Sequence, residues 1–246
     1  MTEPLFLADL DAPVVGEVVR VMDDEGRHAV TVRRIRVGET VLVSDGAGTA
    51  VRGPVTAADK SGLAVEVVEV LHTPAAPVRY VAVQALAKGD RAELAVEMLT
   101  ELGVDEVVPW QAERSVVRWP ADRVDRGLTR WRSAAREAAK QARRFRVPVV
   151  SLPETTAELA QRIRQTALTA VLHERATAPM ATLELPQAGE VMFIVGPEGG
   201  LTDDEVATFT AAGGHVVLIS DAVLRTSTAG VVALAQLQAL AARPGA

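Results

Sequence analysis

The spacing of apolar residues changes once along the chain, and this change constrains the fold more than any other feature. It falls at residues 72–77, His-Thr-Pro-Ala-Ala-Pro, where two prolines favour an extended connector. Short valine-rich runs precede this segment, whereas strand-length and helix-length runs alternate after it. The sequence therefore predicts a first domain at residues 1–72, a linker at 73–77 and a second domain at 78–246.

The first domain is predicted to be built from short strands. Turn signals such as Asp45-Gly46-Ala47-Gly48 separate the valine-rich runs. Several short strands at this spacing indicate a small β-barrel or sandwich. The predicted strands are residues 14–21, 30–35, 40–43 and 63–71.

The second domain is predicted to be α/β, a mostly parallel sheet with helices on both faces, because strands and helices alternate. Leu94, Met98 and Leu102 place one apolar face on a helix at 92–102. Thr202 and Glu205 are spaced as a capping box for a helix at 203–212. The other predicted strands are 78–86, 104–109, 147–151, 168–172, 191–195 and 215–219, and the other helices are 121–144, 156–164 and one from about 228.

Composition excludes several classes of protein. The chain is 48% hydrophobic, which provides enough apolar material for a core and excludes a disordered or fibrous protein. It has no cysteine, which excludes disulfides, thiolate metal sites and the cysteine adduct that usually accompanies methylation at C5 of a pyrimidine. The longest apolar run, 229–242, is broken by Gln236 and Gln238 and is too short to span a bilayer. We therefore expect a soluble, cytoplasmic protein with no metal.

Positive charge is concentrated in one segment although the net charge is -6. Residues 114–146 hold 11 basic and three acidic side chains, whereas residues 1–72 hold 7 basic and 12 acidic ones. Within this segment Trp131 belongs to an apolar stripe, which indicates core packing. A solvent-facing basic row is predicted at every fourth residue of the helix: Arg132, Arg136, Lys140 and Arg144. Such a row predicts contact with RNA phosphates; the alternative is a solvated helix that pairs with acids of a partner subunit.

In the first domain the basic cluster is formed by Arg33, Arg34 and Arg36, beside His28 in the sequence. Phe6 is its only aromatic residue, so the stacking platform of single-strand-binding barrels is missing. Contact with RNA would then be made through phosphates and shape. The alternative is a scaffold or dimer-forming role.

Three strand-to-helix loops are candidates for a ligand site. A strand runs into Gly196-Pro197-Glu198-Gly199-Gly200-Leu201, named here the glycine loop, which matches neither the dinucleotide nor the phosphate-loop pattern. A second polar loop, residues 220–230, carries Arg225, and a third, residues 172–175, follows the strand at 168–172. Loops that leave the same edge of a parallel sheet converge on one crevice, which predicts a site there.

These residues also carry a family resemblance. The glycine loop, followed by Val223-Leu224-Arg225-Thr226-Ser227-Thr228-Ala229, resembles the motif pair of the SPOUT methyltransferases, and more narrowly the RsmE family of 16S rRNA (uracil-N3)-methyltransferases. Residues 100–104, 113–118 and 137–141 agree with this family, and residues 28–39 resemble its PUA-like barrel.

The resemblance implies a C-terminal trefoil knot that holds S-adenosylmethionine, a homodimer with the site at its interface, and 16S rRNA as substrate, within the assembled small subunit. By matching position it implies cofactor contact at Leu172, His173, Gly196, Gly200, Ile219, Leu224, Ser227 and Ala229. The chain departs from common family residues at Met98, Ser220, Ala222 and Ser227. RNA contact is predicted from the basic residues Arg33, Arg34, Arg114, Arg118, Arg132, Arg136, Lys140 and Arg144.

Methylation of uracil N3 requires removal of the ring proton and stabilisation of the resulting anion. Arg225 is predicted to stabilise the anion, since a guanidinium donates two parallel hydrogen bonds. Glu198 or His173 is predicted to accept the proton, with Glu198 favoured. The structural alternatives are a loop salt bridge for Arg225, a helix cap for Glu198, and packing beside the adenine for His173.

Three functions fit these features. The first is a uracil-N3 methyltransferase of 16S rRNA, which the arginine-containing loop and the predicted barrel favour. The second is a SPOUT enzyme with another target, such as a ribose 2′-hydroxyl. The third is a non-catalytic RNA-binding assembly factor that kept the fold.

Overall fold

The computed structural model describes residues 3–242 and divides the chain into two compact units. The first unit comprises the chain up to Ala75 together with Glu137–Val147, and the second comprises Ala76–Arg136 and the chain from Pro148 onward. The predicted domain boundaries differ from these units because they assign residues 137–147 to the second domain. Residues 1, 2 and 243–246 of the predicted domains lie outside the described residues.

The first unit holds a six-stranded sheet, a short helix and the last residues of a longer helix described below. Strands β1 and β3 pair in parallel and the other pairs are antiparallel, in the order β1-β3-β4-β5-β2, with β6 beside β4. The side chains of Phe6, Val43 and Val65 lie in its buried core. The elements are β1 (Leu5–Leu7), β2 (Val18–Val21), α1 (Asp23–Thr31), β3 (Thr40–Ser44), β4 (Thr49–Asp59), β5 (Gly62–Glu66) and β6 (Glu69–His72).

The strand predicted at 30–35 is wrong, because helix α1 occupies Asp23–Thr31 and the chain then turns. Three acidic residues, Asp23, Asp24 and Glu25, lie in the first turn of this helix. Negative charge at a helix N-terminus interacts favourably with the helix dipole. Ala29 is fully buried against the sheet core, so one helical face is covered. The β-branched residues at and after the end of this helix, such as Val32 and Ile35, are typical of strands, which explains the wrong prediction.

Strand β4 was not predicted, since Gly53 and Pro54 interrupt its apolar pattern. The structure gives the glycine a steric reason. A Cβ at Gly53 would lie 1.7 Å from the carbonyl oxygen of Glu66, so only glycine permits this close approach of two backbones. Beyond it the register with β5 shifts between Val55 and Ala57, which marks a β-bulge.

The second unit is a six-stranded sheet in which every neighbouring pair is parallel, in the order β12-β10-β11-β7-β8-β9. The predicted α/β class is thereby confirmed, while the trefoil knot implied by the resemblance stays a prediction. Its strands are β7 (Val78–Ala85), β8 (Glu106–Trp110), β9 (Val149–Val150), β10 (Leu168–Leu172), β11 (Gly189–Val195) and β12 (His215–Val217). Its helices are α2 (Arg91–Leu102), α4 (Thr156–Ile163), α5 (Asp203–Ala211) and α6 (Thr226–Ala241), with a 3₁₀ turn at Met180–Thr182.

Helix α2 packs through a face other than the predicted one. Leu94 is 43% exposed, whereas Ala95, Val96 and Leu99 are buried. Helix α6 packs against α2, and a Cβ at Gly230 of α6 would lie 3.5 Å from Cδ2 of Leu99. The predicted capping box of α5 is confirmed, because the Thr202 side chain accepts a hydrogen bond from the Glu205 backbone and the Glu205 side chain accepts one from Thr202.

Helix α3 (Val124–Ala142) carries residues of both units. Trp131 is fully buried and makes an edge-to-face contact with Trp119 at 5.3 Å, so the prediction of core packing is confirmed. The predicted solvent-facing basic row is wrong at two positions. Lys140 is buried, with its Nζ 3.0 Å from Glu25 and 2.7 Å from Glu137. Arg144 follows the end of the helix, after Arg143 adopts a left-handed conformation with φ 53°.

The two edges of the parallel sheet differ in character. At the amino-terminal edge, Arg162 of α4 forms ion pairs with Glu106, Glu154 and Glu190, and Arg79 joins Glu106 and Glu190. Within residues 3–242 no helix is long and apolar enough to cross a membrane. The carboxyl-terminal edge carries the loops predicted to form a site.

Candidate active site

A cleft of about 410 Å³ opens at the carboxyl-terminal edge of the parallel sheet. We name it the carboxyl-edge cleft. Four neighbouring strands, β7, β10, β11 and β12, lead into the segments that line it. The sheet order reverses here, since β8 and β9 extend to one side of β7 while β11, β10 and β12 extend to the other. Ligands of open parallel sheets bind at such a switch point.

The glycine loop forms one wall with its backbone. The Gly200 N–H donates to the Pro197 carbonyl at 2.9 Å, which closes a tight turn, and Gly200 has a φ of 71°. This left-handed conformation favours glycine. A Cβ at Gly196 would lie 3.3 Å from Cγ of Leu201, so a side chain there would crowd the wall. The loop therefore offers close access to the main chain.

The second wall is the arginine loop, defined as residues 220–225, together with the first turn of α6. Arg225 is the N-cap residue of α6, and its side chain is exposed in the cleft. The next residue, Thr226, donates from Oγ1 to the Gly196 carbonyl at 2.6 Å. Buried Gln84 in turn donates from Nε2 to Thr226 Oγ1 at 3.2 Å. These bonds hold the start of α6 against the beginning of the glycine loop.

Two candidate proton acceptors line the cleft with different hydrogen-bond states. Glu198 is exposed, and its Oε1 accepts a bond from the Lys88 backbone N–H at 3.3 Å. His173 Nδ1 accepts a bond from the Arg175 backbone N–H at 3.1 Å. In a neutral imidazole the second nitrogen, Nε2, then carries the proton. His173 therefore has its lone pair engaged, whereas the Glu198 carboxylate keeps free acceptor positions.

Most of the predicted site residues meet in this cleft. Arg225, Glu198 and seven of the eight predicted cofactor residues line it. Ser227 does not, because it is 5% exposed within the first turn of α6, and Thr226 lines the cleft in its place. The sequence interpretation missed Arg91, and it included Glu174 in a candidate loop without giving it a role. Arg91 is the first residue of α2, after the loop that leaves β7, and the available signal was this further strand-to-helix segment with its basic residues Lys88 and Arg91.

The predicted RNA-binding residues fall into several environments. Arg33, Arg34 and Arg136 are exposed. Arg118 is exposed and donates to the Glu113 carbonyl at 3.4 Å, and Arg132 is exposed and donates to the Val150 carbonyl at 3.2 Å. Arg114 is exposed, but its Nη1 donates to two carbonyls of the glycine loop region. Lys140 is buried and Arg144 lies beyond the end of α3, so neither belongs to a solvent-facing row on this helix.

The cleft has the properties that an adenosine-containing cofactor requires. Its volume lies within the range of about 300–1,000 Å³ that is usual for small-ligand sites. Apolar side chains of Leu172, Ile219 and Leu224 line it beside backbone groups of the glycine loop. Gly196 and Gly200 lie on this lining and add no side chain to it. The residues present therefore fit S-adenosylmethionine.

Comparison with known proteins supports the same interpretation. Residues 74–238 match the RNA methyltransferase domain family, and residues 21–68 match the RNA methyltransferase PUA domain. The chain belongs to the RNA methyltransferase family. Among curated members, a ribosomal RNA small subunit methyltransferase E of Mycobacterium tuberculosis is 44% identical over 99% of this chain and 94% of the relative. The protein of that name in Bacillus subtilis is 28% identical over 88% of each chain.

Solved structures of this family share the fold. A ribosomal RNA small subunit methyltransferase E of Neisseria gonorrhoeae, bound to S-adenosylmethionine, gives a TM-score of 0.86 at 26% identity and covers 97% of this chain and 98% of that chain. A methyltransferase of Legionella pneumophila with the same bound cofactor gives 0.84 at 25% identity, with the same coverage of both chains. The predicted family and fold class are confirmed, including the small PUA-like domain.

Proposed function

We propose that this chain is an S-adenosylmethionine-dependent methyltransferase that methylates N3 of a uridine in 16S rRNA of the small ribosomal subunit. The observation that carries the proposal is the convergence of the glycine loop and the arginine loop on one cleft, with Glu198 and Arg225 both on its lining. The small-subunit rRNA methyltransferases to which the chain is similar, and the S-adenosylmethionine bound in its structural relatives, support it.

The cofactor would be held by the walls of the carboxyl-edge cleft. Leu172, Ile219 and Leu224 provide apolar contacts, and the glycine loop provides main-chain groups. S-adenosylmethionine, when bound, supplies a methyl group that its sulfonium already activates for transfer. The residues of the chain have only to orient the uracil, remove its proton and stabilise its charge.

Arg225 is placed to stabilise the uracil anion. Deprotonation at N3 spreads negative charge onto the two flanking carbonyl oxygens, and a guanidinium offers parallel donors to such a group. Among the ion pairs of residues 3–242 none involves Arg225, so the structure gives no support to a loop salt bridge. Its charge is therefore available to a substrate in the cleft.

Glu198 is the better proton acceptor. Its carboxylate lines the cleft, and within residues 3–242 its one hydrogen-bond donor is the Lys88 backbone N–H. It does not cap α5, because Thr202 and Glu205 form the capping box of that helix. His173 has its lone pair bonded to the Arg175 N–H and presents Nε2–H as a donor instead. His173 is thus suited to hold an acceptor atom rather than to remove a proton.

Contact with RNA is proposed for the exposed arginines of the two units. Arg33 and Arg34 belong to the PUA-like unit, while Arg118, Arg132 and Arg136 belong to the second unit. Exposed guanidinium groups bind phosphate without base specificity and release counterions, which makes binding salt-dependent. Exposed arginines on both units fit a folded rRNA substrate, and we propose the assembled small subunit as that substrate. We propose the cytoplasm as the location of the protein.

A homodimer with the cleft at its interface is proposed from the family resemblance. An exposed apolar side chain on the cleft lining supports it, since Val223 is 82% exposed. Light scattering coupled to size-exclusion chromatography tests this proposal. A mass near twice 26.0 kDa is expected, and a mass near 26.0 kDa would contradict it.

The catalytic proposal is tested by two measurements on the full chain. Calorimetry should show saturable binding of S-adenosylmethionine, and the protein should transfer labelled methyl groups to small subunits that lack this modification. Binding without transfer to either small subunits or free 16S rRNA would contradict the proposed substrate. Absence of both would favour the non-catalytic RNA-binding function.

A further inference from the structure

The side chain of Arg114 donates hydrogen bonds to the glycine loop region, and within the described part of the chain it forms no ion pair. Its Nη1 donates to the Gly199 carbonyl at 3.2 Å and to the Leu201 carbonyl, also at 3.2 Å. Both acceptor residues line the carboxyl-edge cleft, whereas Arg114 does not. One guanidinium nitrogen thus joins two carbonyls on either side of Gly200, the residue with the left-handed backbone.

The backbone of Arg114 packs against the same loop. A Cβ at Gly199 would lie 3.0 Å from Cβ of Arg114 and 3.3 Å from its carbonyl oxygen. That spacing is closer than ordinary van der Waals contact, so a side chain at residue 199 would require the two segments to move apart by a few tenths of an ångström. The contact between Arg114 and the loop is therefore made by main chain and side chain together.

A buried carboxylate fixes the segment that carries Arg114. Glu205 is 4% exposed, and its Oε1 accepts the Glu113 backbone N–H at 2.8 Å while its Oε2 accepts the Thr202 N–H at 2.9 Å. One side chain at the start of α5 thereby joins residue 113 to the residue that follows the glycine loop. The glycine loop region is therefore held by the hydrogen bonds of Glu205 at its end and by the hydrogen bonds of the Arg114 guanidinium.

We propose that Arg114 is a positioning residue that holds the glycine loop in its cofactor-binding conformation, and that its role is not RNA contact. Consecutive glycines give the loop main-chain freedom that would have to be lost on binding. Hydrogen bonds from a charged donor to two loop carbonyls remove that freedom beforehand, which is preorganisation. This inference rests on the proposed function in assuming that the cleft holds S-adenosylmethionine.

The test compares Arg114→Met, which keeps the aliphatic stem but removes the donors, with Arg114→Lys and with Arg118→Ala. Arg118 is a suitable control because it lies on the same segment, is exposed, and makes no bond to the glycine loop. Arg114→Met should raise the calorimetric Kd of S-adenosylmethionine by about tenfold, as expected for a lost charge-assisted hydrogen bond. Arg114→Lys should recover part of this affinity, and Arg118→Ala should leave it unchanged.

Two further readouts separate positioning from general damage and from RNA contact. Arg114→Met should raise KM for S-adenosylmethionine while kcat at saturating cofactor stays within about twofold, because the loop is restored by mass action. The salt dependence of 16S rRNA binding in filter assays should keep its wild-type slope. Gly199→Ala, which disturbs the same contact from the other side, should also raise the Kd.

An unchanged Kd in Arg114→Met would overturn the proposal, and so would a salt slope reduced by about one, the mark of a lost phosphate contact. Failure of the wild-type chain to bind S-adenosylmethionine would instead overturn the proposed function. The two failures are therefore distinguishable.

Discussion

At the residue scale, the polar side chains in and beside the carboxyl-edge cleft differ in the hydrogen bonds that they already make, and this difference indicates their roles. Arg225 and Glu198 are exposed on the lining, with most of their hydrogen-bonding capacity unused. Arg114 and His173 already bond to backbone groups beside or within the cleft. Arg225 and Glu198 are therefore available to bind substrate. Arg114 and His173 instead stabilise the conformation of the site.

Replacement of Arg225 by alanine should abolish turnover while leaving cofactor binding near normal. A donor aimed at developing charge contributes on the order of 10²–10³ in rate, and we expect a loss of at least about 100-fold in kcat. Glu198→Gln should lose a similar factor, because the amide cannot accept the proton. Methyl transfer to small subunits measures kcat, and calorimetry measures the Kd of S-adenosylmethionine.

Arg175→Ala is the matched control, since this exposed arginine adjoins the cleft without lining it. It should keep wild-type turnover. Unchanged turnover in Arg225→Ala would remove Arg225 from the mechanism.

At the element scale, helix α3 combines exposed and buried basic residues that the sequence pattern does not distinguish. Arg136 is exposed, while Lys140, one turn later, is buried beside Glu25 of α1. Glu25 also accepts the backbone N–H of Leu7, so Lys140 and Glu25 belong to the interior of the PUA-like unit. The basic surface of this helix is therefore shorter than the spacing of its charges suggests.

Lys140→Ala should lower stability and leave the salt dependence of RNA binding unchanged. Removing one partner of a buried ion pair leaves the other charge without compensation, which costs on the order of 3 kcal/mol. Arg136→Ala, the matched control, should show the reverse, with stability within about 0.5 kcal/mol and a flatter salt slope. Urea unfolding and filter binding at several salt concentrations measure the two quantities, and a flatter slope in Lys140→Ala would contradict the assignment.

At the scale of the whole molecule, the two edges of the parallel sheet have different roles. One edge carries the proposed active site, and the other carries ion pairs that stabilise the fold. The carboxyl-terminal edge holds the cleft, and the amino-terminal edge holds the ion pairs of Arg162 and Arg79. Burial by itself would raise the pKa of Glu106, but hydrogen bonds from Arg162 and Ser151 and the charges of Arg162 and Arg79 outweigh burial and lower this pKa to about 2. Glu106 thus stays ionised where an ordinary glutamate would become protonated.

This depressed pKa predicts a loss of stability in acid. Because the folded value lies below the unfolded one, Glu106 stabilises the fold above the unfolded pKa, and its contribution disappears as the pH falls from about 5 to about 2. The loss should amount to about 3 kcal/mol, and Glu106→Gln should flatten it. Urea unfolding followed by tryptophan fluorescence reports on the second unit, which contains all three tryptophans.

Glu97→Gln is the control for the acid experiment, because Glu97 is exposed on α2. It should keep the wild-type pH profile. An equally steep profile in Glu106→Gln would show that other carboxylates cause the acid loss.

The sequence predicts features that depend on residues close together along the chain. It does not predict features that depend on contacts between residues far apart along the chain. The capping box of α5 and the glycine and arginine loops lie within short segments, and they were predicted with their chemistry. The burial of Lys140 depends on Glu25, 115 positions away, and the bonds of Arg114 end on backbone carbonyls, which leave no residue pattern. Helix α1 was hidden because β-branched residues follow it, and β4 because Gly53 serves a contact with Glu66 in another strand.

We expect this chain to methylate uracil N3 in small-subunit rRNA. The most direct measurement is incubation of the purified protein with S-adenosylmethionine and unmodified small subunits, in parallel with free 16S rRNA, followed by nucleoside mass spectrometry. New 3-methyluridine is expected, formed faster on the assembled subunit than on free 16S rRNA. A ribose-methylated nucleoside in place of 3-methyluridine would keep the fold and the cofactor but contradict the assigned target, and no methylated nucleoside on either substrate would contradict the function.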